Sequence, residues 1–287
     1  MRSAFPSHRV AARRRLGLAL VAISAASALL AGPTAPATSA EVTTTPVMDA
    51  ATASTATSMA SQVIGWLNRD RVAAGLAPYR SWGSLAAIAT QRAGRMASSG
   101  VLSHAAAGGD VGAALTAAGI GWSGFGEIIG ESGYPWGTKA AANLYSMWKS
   151  SPIHHSIMFS ARNNYVGPAF VRDASGRTWA SIVFTESADH TAAVASNGHV
   201  WRSGRTVSYS WHGYDPRLQT HTAGLRGFDV EYRVDGGAWH LIRHSTLATA
   251  LSLRHRPHHH WYAFRVRASD RRGNLSGWTA AKRIWVP

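Results

Sequence analysis

From Met59 onward the chain changes character, and apolar side chains begin to recur every three or four positions. In MASQVIGWLNRDRVAAG, Ile64, Leu67 and Arg71 share one helical face, and Gly75 supplies a C-terminal stop. The same period returns from Ser84 to Ser99, where Leu85, Ile88, Ala89, Arg92 and Met96 form a stripe ended by Gly100. A short helix is predicted after Asp110, a good N-cap, finishing at Gly119. Another covers Thr138 to Lys149, with Ala141, Leu144, Tyr145 and Trp148 on one side. Ser151-Pro152 reads as one more helix start, because proline suits the first helical position and serine the cap before it.

The period then shortens to two. NYVGPAFVRD and RTWASIVFTE alternate across Asp173-Ala-Ser-Gly176, which reads as a hairpin with Ile182 and Phe184 on one face and Trp179, Ser181 and Val183 on the other. Helices followed by a hairpin give an α+β region. Beyond His190 come TVSYSWHG, GFDVEYRV, AWHLIR, ATALSLR, YAFRVRAS and KRIWVP, short β-type runs separated by turn signals such as Asp235-Gly236-Gly237 and Arg272-Gly273-Asn274. In YAFRVRA, Tyr262, Phe264, Val266 and Ala268 alternate with Ala263, Arg265 and Arg267, the signature of a half-buried strand. So many short strands in so few residues predict a β-sandwich.

Residues 1–40 read as a secretory signal peptide: Arg9, Arg13, Arg14 and Arg15, an apolar run from Leu16 to about Leu30, and an Ala-x-Ala-like end at Thr38-Ser39-Ala40. The run is shorter than the ~20 residues a membrane span needs. No later segment is apolar enough to span, so a secreted or extracellular chain with no transmembrane segment is expected, with association to the cell surface. Residues 41–58, rich in Thr and Ala, read as a linker; 59–190 as the first domain; 191–203 as a second linker; 204–287 as the sandwich. The chain has no cysteine, which excludes disulfides and leaves stability to packed cores. Its net charge of +15 is uneven: residues 197–287 hold 14 basic and 5 acidic side chains. That balance suits anionic cell-wall polymers or lipid headgroups, with nucleic acid the less suitable partner for an exported protein.

Several spacings converge on one family. Leu67-Asn68-x-x-Arg71, Gly75-Leu76, Leu85, Ala89, Met96-x-x-x-Gly100-x-x-Ser103-His104, Gly126-Glu127, Trp148-x-x-Ser151-Pro152-x-His154 and Val166-Gly167 occur in order. The region resembles the CAP superfamily (cysteine-rich secretory, antigen 5 and plant PR-1 proteins) in its short bacterial form. That resemblance implies an α-β-α sandwich with a shallow cleft in which His104, Glu127 and His154 converge, in some family members around a divalent metal such as zinc. Two departures stand out: Ile128 follows the glutamate where the family has Asn, and Trp148-Lys149-Ser150-Ser151 lacks the second glutamate of longer members. Glu131 and Glu186 remain open as replacements. Residues 204–287 resemble a fibronectin type III-like domain, with Trp211 in an early strand, Tyr262 as a corner tyrosine, and Gly273-x-x-Ser276-x-Trp278 late in the fold.

Two imidazoles and a carboxylate are a sound ligand set for zinc, and equally a hydrogen-bonded triad without metal. Ser103 beside His104 is not a nucleophile–base pair by sequence adjacency alone, and no Gly-x-Ser-x-Gly elbow is present. The run Arg254-His255-Arg256-Pro257-His258-His259-His260 reads as an exposed basic turn. The expected function is a secreted binding protein rather than an enzyme, holding a small ligand, a peptide or a metal in the His104/Glu127/His154 cleft while the basic sandwich attaches to the cell surface. The alternative is a metal-assisted, peptidase-like hydrolase with Glu127 as general base.

Overall fold

The computed structural model describes residues 50–287, so the signal-peptide reading of residues 1–40 lies outside the described residues. The first helix, α1, runs from Ala50 to Ala73. Nine residues assigned to the linker are therefore helical, a correction with a local cause. Alanine is the strongest helix former, and once the helix is made the hydroxyls of Thr55 and Thr57 donate to the carbonyls of Ala51 and Ala53 one turn back. Met59, Val63, Leu67 and Arg71 form its buried stripe.

There follow β1 (Arg80–Ser81), α2 (Gly83–Ser99), α3 (Val111–Ala117), β2 (Gly124–Ser132), α4 (Thr138–Ser150), α5 (Pro152–Met158), β3 (Tyr165–Arg172) and β4 (Thr178–Glu186). Four strands make one sheet in the order β1-β3-β4-β2, so β2 is an edge. One face of that sheet carries Ile128, Val166, Phe170, Ala180, Ile182 and Phe184 against α1, α4 and Met158 of α5. The other carries Tyr165, Ala169 and Val183 against α2 and α3, with Trp179 and Ile129 packed on Met96. The result is three layers, α-β-α, with the alternation of β4 read from sequence present on both faces. Gly167 shows why the Val-Gly pair matters: a Cβ there would sit 2.2 Å from the amide nitrogen of Ala86 and 2.4 Å from the carbonyl carbon of Leu85. Only a glycine lets β3 lie that close to the start of α2.

The second half consists of β5 (Val194–Ser203), β6 (Thr206–Tyr214), β7 (Leu225–Val234), β8 (His240–Thr246), β9 (Ala250–Leu253), β10 (His260–Asp270) and β11 (Lys282–Val286). Sheets β11-β10-β7-β8 and β5-β6-β9 enclose a core of Tyr209, Trp211, Phe228, Val230, Tyr262, Phe264 and Val266. Two expectations change here. The stretch 191–203 is mostly strand β5, antiparallel to β6, rather than a linker. Tyr262 is buried, yet its hydroxyl has no hydrogen-bond partner among the described residues, so it does not pin a corner.

The two halves are not strung on a tether. The loop between β6 and β7 inserts Leu218 into the core beneath α2, and Gln219 Oε1 accepts from the Ala77 amide at 2.8 Å. Asn164 donates through Nδ2 to the carbonyls of both Ser187 and Thr220, and Asn274 donates to that of Asp189. Amides committed on both sides make this seam a built joint.

Candidate functional site

Glu127 sits in the middle of the edge strand β2, opposite Val183 of β4, and points into the α2 layer. The sequence pattern predicts no strand here, because Gly124, Gly126 and Gly130 are weak strand formers. The neighbouring Ile128 points to the other layer and is fully buried in the main core, so the family's Asn has become a packing residue.

The carboxylate is saturated. Arg92 donates through Nε to Oε1 at 2.5 Å and through Nη2 to Oε2 at 2.6 Å. Ser181 Oγ donates to Oε1, and His104 Nδ1 lies 2.7 Å from Oε2. Four donors fill the four acceptor positions of an ionised carboxylate. Burial pushes Glu127 up, but the hydrogen bonds from Arg92, Ser181 and His104 outweigh it and hold the group below the ordinary carboxylate value. Arg92, the residue that dominates this arrangement, counted in the sequence only as one position of the α2 stripe. A charge in an apolar stripe is itself the signal of a buried partner, because an unpaired one would be prohibitively expensive.

His104 stands in the loop between α2 and α3. Gly109 N donates to its carbonyl, and Ser103 Oγ accepts from the Ala106 amide, which ties that hydroxyl to the turn and away from nucleophilic work. While both Arg92 and Glu127 are buried, the His104 side chain is 56 % exposed. With Nδ1 given to Glu127, the ring lines a recess of about 290 Å³ together with Gly109, Asp110, Val111, Phe125 and Glu127. Asp110 caps α3 by accepting from Gly112 N.

His154 arrives from the opposite layer. Pro152 occupies the first turn of α5 as read from sequence, although Ser151 makes no side-chain cap bond. α5 packs closely on β2, where a Cβ on Gly126 would come within 2.8 Å of Ile157. His154 hydrogen-bonds to neither His104 nor Glu127; burial first, and the His104 charge second, push its pKa down. His155 stacks on Phe159 at 4.2 Å and takes no part.

The expected metal cage of His104, Glu127 and His154 does not fit this geometry. Glu127 has no acceptor position left, and the three do not form a group whose ligand atoms lie together among the described residues. The hydrolase alternative calls for Glu127 as a free base, and in this geometry its acceptor positions are taken by Arg92, Ser181 and His104. Neither replacement carboxylate joins the site: Glu131 pairs with Arg177, while Glu186 pairs with Arg162 and His221. The histidine run between β9 and β10 gathers no metal group either; His258 turns to the Pro287 carbonyl and His260 to Asp235.

Over residues 65–185 the chain matches the family model described as the cysteine-rich secretory protein family, CAP. This stretch is a CAP domain. Solved structures similar to the chain include a cysteine-rich secretory protein from Staphylococcus aureus, 20% identical over 46% of this chain and 39% of that one, with a TM-score of 0.38. An extracellular protein containing an SCP domain from Bacillus anthracis is 17% identical over 50% and 45% of the two chains, with a TM-score of 0.43. An outer surface protein from Borrelia burgdorferi is 12% identical over 45% and 92%, with a TM-score of 0.41. The chain spans less than half the length of the first two. None of the curated proteins compared with it matches. In this CAP domain the glutamate is bound to the arginine of α2, and of the two cleft histidines only His104 touches it.

Proposed function

We propose that the chain is an exported, non-enzymatic binding protein whose CAP domain holds a small polar ligand or peptide in the His104 recess. The observation that carries this reading is the chain Arg92–Glu127–His104 Nδ1. A carboxylate locked by four donors cannot act as a base, but it fixes the imidazole in one tautomer. Glu127 accepts the Nδ1 proton, so a neutral His104 offers Nε2 as a hydrogen-bond acceptor for a ligand hydroxyl or amide N–H. Phe125 and Val111 line the recess beside it and provide apolar contact. His154, with its depressed pKa, stays neutral on the far side.

The second domain, fibronectin type III-like in its sequence pattern, serves attachment. Its basic excess supports contact with anionic wall polymer or lipid headgroups. Part of that charge is spent internally: Arg265 and Arg267 pair with Glu231 and Asp229 and stack on Trp239 and Trp278. No described helix is long and apolar enough to cross a membrane. Export rests on the pattern of residues 1–40.

Ligand-retention mass spectrometry on the secreted protein tests the binding reading. A species carried by the wild type and lost in His104→Ala supports it. A species held equally by both, or turnover of a defined substrate that Glu127→Gln abolishes in folded protein, overturns it.

A further inference from the structure

Five carboxylates are buried among the described residues: Glu127, Glu186, Asp189, Asp229 and Asp270. Three of them have a basic partner, Glu127 in Arg92, Glu186 in Arg162 and Asp229 in Arg267. The two most deeply buried, Asp189 at 1% exposure and Asp270 at 0%, have none. They lie instead against each other and against half-buried Asp215, with one oxygen of each residue within 4.8 Å of the other two. Burying a charge without a counter-charge is unfavourable unless it is paired or coordinates a metal.

The protein groups around the trio satisfy part of it and stop short of neutralising it. Asp189 accepts from the Tyr165 hydroxyl and from the amides of Thr191 and Ala223. Asp270 accepts from the amides of Arg272 and Asn274 and from Asn274 Nδ2. Asp215 Oδ2 accepts from the Gly224 amide, while its Oδ1 is buried and has no hydrogen-bond partner. The donors are neutral throughout. Arg80, whose charge bears on Asp215, donates to none of the three carboxylates, and its own Nε is buried and unpartnered.

We propose that Asp189, Asp215 and Asp270 bind a calcium-type divalent cation in the seam between the CAP domain and the sandwich. The donor set is oxygen only, which suits a hard cation and excludes the nitrogen and sulfur preferences of zinc or copper. One oxygen of each carboxylate lies within 4.8 Å of the other two, close enough for all three to reach one calcium ion at its usual oxygen distance of about 2.3–2.6 Å. Asp189 follows the last strand of the CAP sheet, Asp215 follows β6, and Asp270 is the last residue of β10. One ion therefore ties the CAP domain to both sheets of the sandwich and fixes the angle between two binding surfaces. This site is independent of the His104 recess.

The test uses the full chain freed of metal with a chelator, then titrated with calcium chloride by calorimetry and followed by Tm. One ion per chain is expected, with a Kd in the range of roughly 10⁻⁴–10⁻³ M of extracellular calcium modules, and a Tm that rises with calcium. Asp215→Asn keeps the acceptor but removes a charge, and should weaken binding about tenfold or more. Without calcium that variant should melt above the wild type, because a like-charge repulsion is gone; with saturating calcium the order should reverse. His104→Ala should bind calcium as the wild type does, which separates this result from that of the recess. Terbium provides a check on the unmutated protein: Tyr165 touches Asp189, so bound terbium should show tyrosine-sensitised emission that calcium quenches by displacement. Absence of calcium heat, Tm shift and terbium emission overturns the site, as does unchanged affinity in a folded Asp215→Asn.

Discussion

Replacing Arg92 with methionine should be among the most damaging single changes in the CAP domain that leave its backbone geometry alone. The substitution removes two hydrogen bonds to Glu127 and one to the Gly109 carbonyl, and leaves a carboxylate that is 2% exposed with only Ser181 and His104 for company. Breaking a buried pair by removing one partner typically costs about 3–5 kcal/mol, against roughly 0–1 kcal/mol for a surface pair. The buried limit applies because both side chains are almost wholly out of water. Glu127→Gln should cost a similar amount by stranding the guanidinium. The double substitution Arg92→Met with Glu127→Gln should recover much of the loss, since neither charge is then left unpaired. Urea denaturation followed by tryptophan fluorescence, with far-UV circular dichroism to confirm folding, gives the four corners of the cycle. Single losses under about 1 kcal/mol, or losses that simply add in the double variant, would refute the buried-pair account.

Because the folded pKa of Glu127 is depressed, its contribution is complete above the ordinary value of 4.5 and is lost as pH falls through the lower folded value; Glu127→Gln should flatten that acid limb of the stability curve. His154 is depressed as well, so the unfolded chain takes up its proton first and stability falls as pH drops below 6.5. An NMR titration should show His154 moving back up in His104→Gln, and an unmoved value would deny the coupling between the two rings. His155→Ala, which loses only an exposed stack on Phe159, should stay within about 0.5 kcal/mol of wild type in urea denaturation; a larger loss would show that the ring does more than stack. Gly167→Ala should exceed the ~1–3 kcal/mol of ordinary overpacking, since the added methyl meets backbone of α2 that cannot swing aside, and a stable folded variant would show that this contact is not as close as described. Binding of the full chain to anionic polymer should fall steeply with salt, and insensitivity to salt would remove the electrostatic basis of attachment.

Much of the scaffold was legible because its signals are local. The stripes of α2 and α4 and the alternation of β4 state which face is buried, and Asp110 and Pro152 mark helix starts by their own chemistry. What escaped depends on contacts remote in sequence. Arg92 lies 35 residues from Glu127, and Ser181 lies 54 residues from it. No periodicity reveals that a basic residue in one helix saturates an acid in an edge strand, and so the carboxylate looked free to bind metal. The glycine-rich strand β2 hid the position of Glu127 itself. The stretch 191–203 looked like a linker because its small residues carry little burial signal, yet pairing with β6 makes most of it strand. The acidic trio is assembled from the segments after β4 and β6 and the last residue of β10, each ordinary in isolation.

The tautomer of His104 tests the central claim most directly. In ¹⁵N-labelled protein, at a pH where the ring is neutral, long-range imidazole correlations distinguish a proton on Nδ1 from one on Nε2. The account predicts the Nδ1–H form, donating to Glu127 and leaving Nε2 bare. An Nε2–H ring at His104, or one whose Nδ1 resonance responds to added zinc, would contradict it.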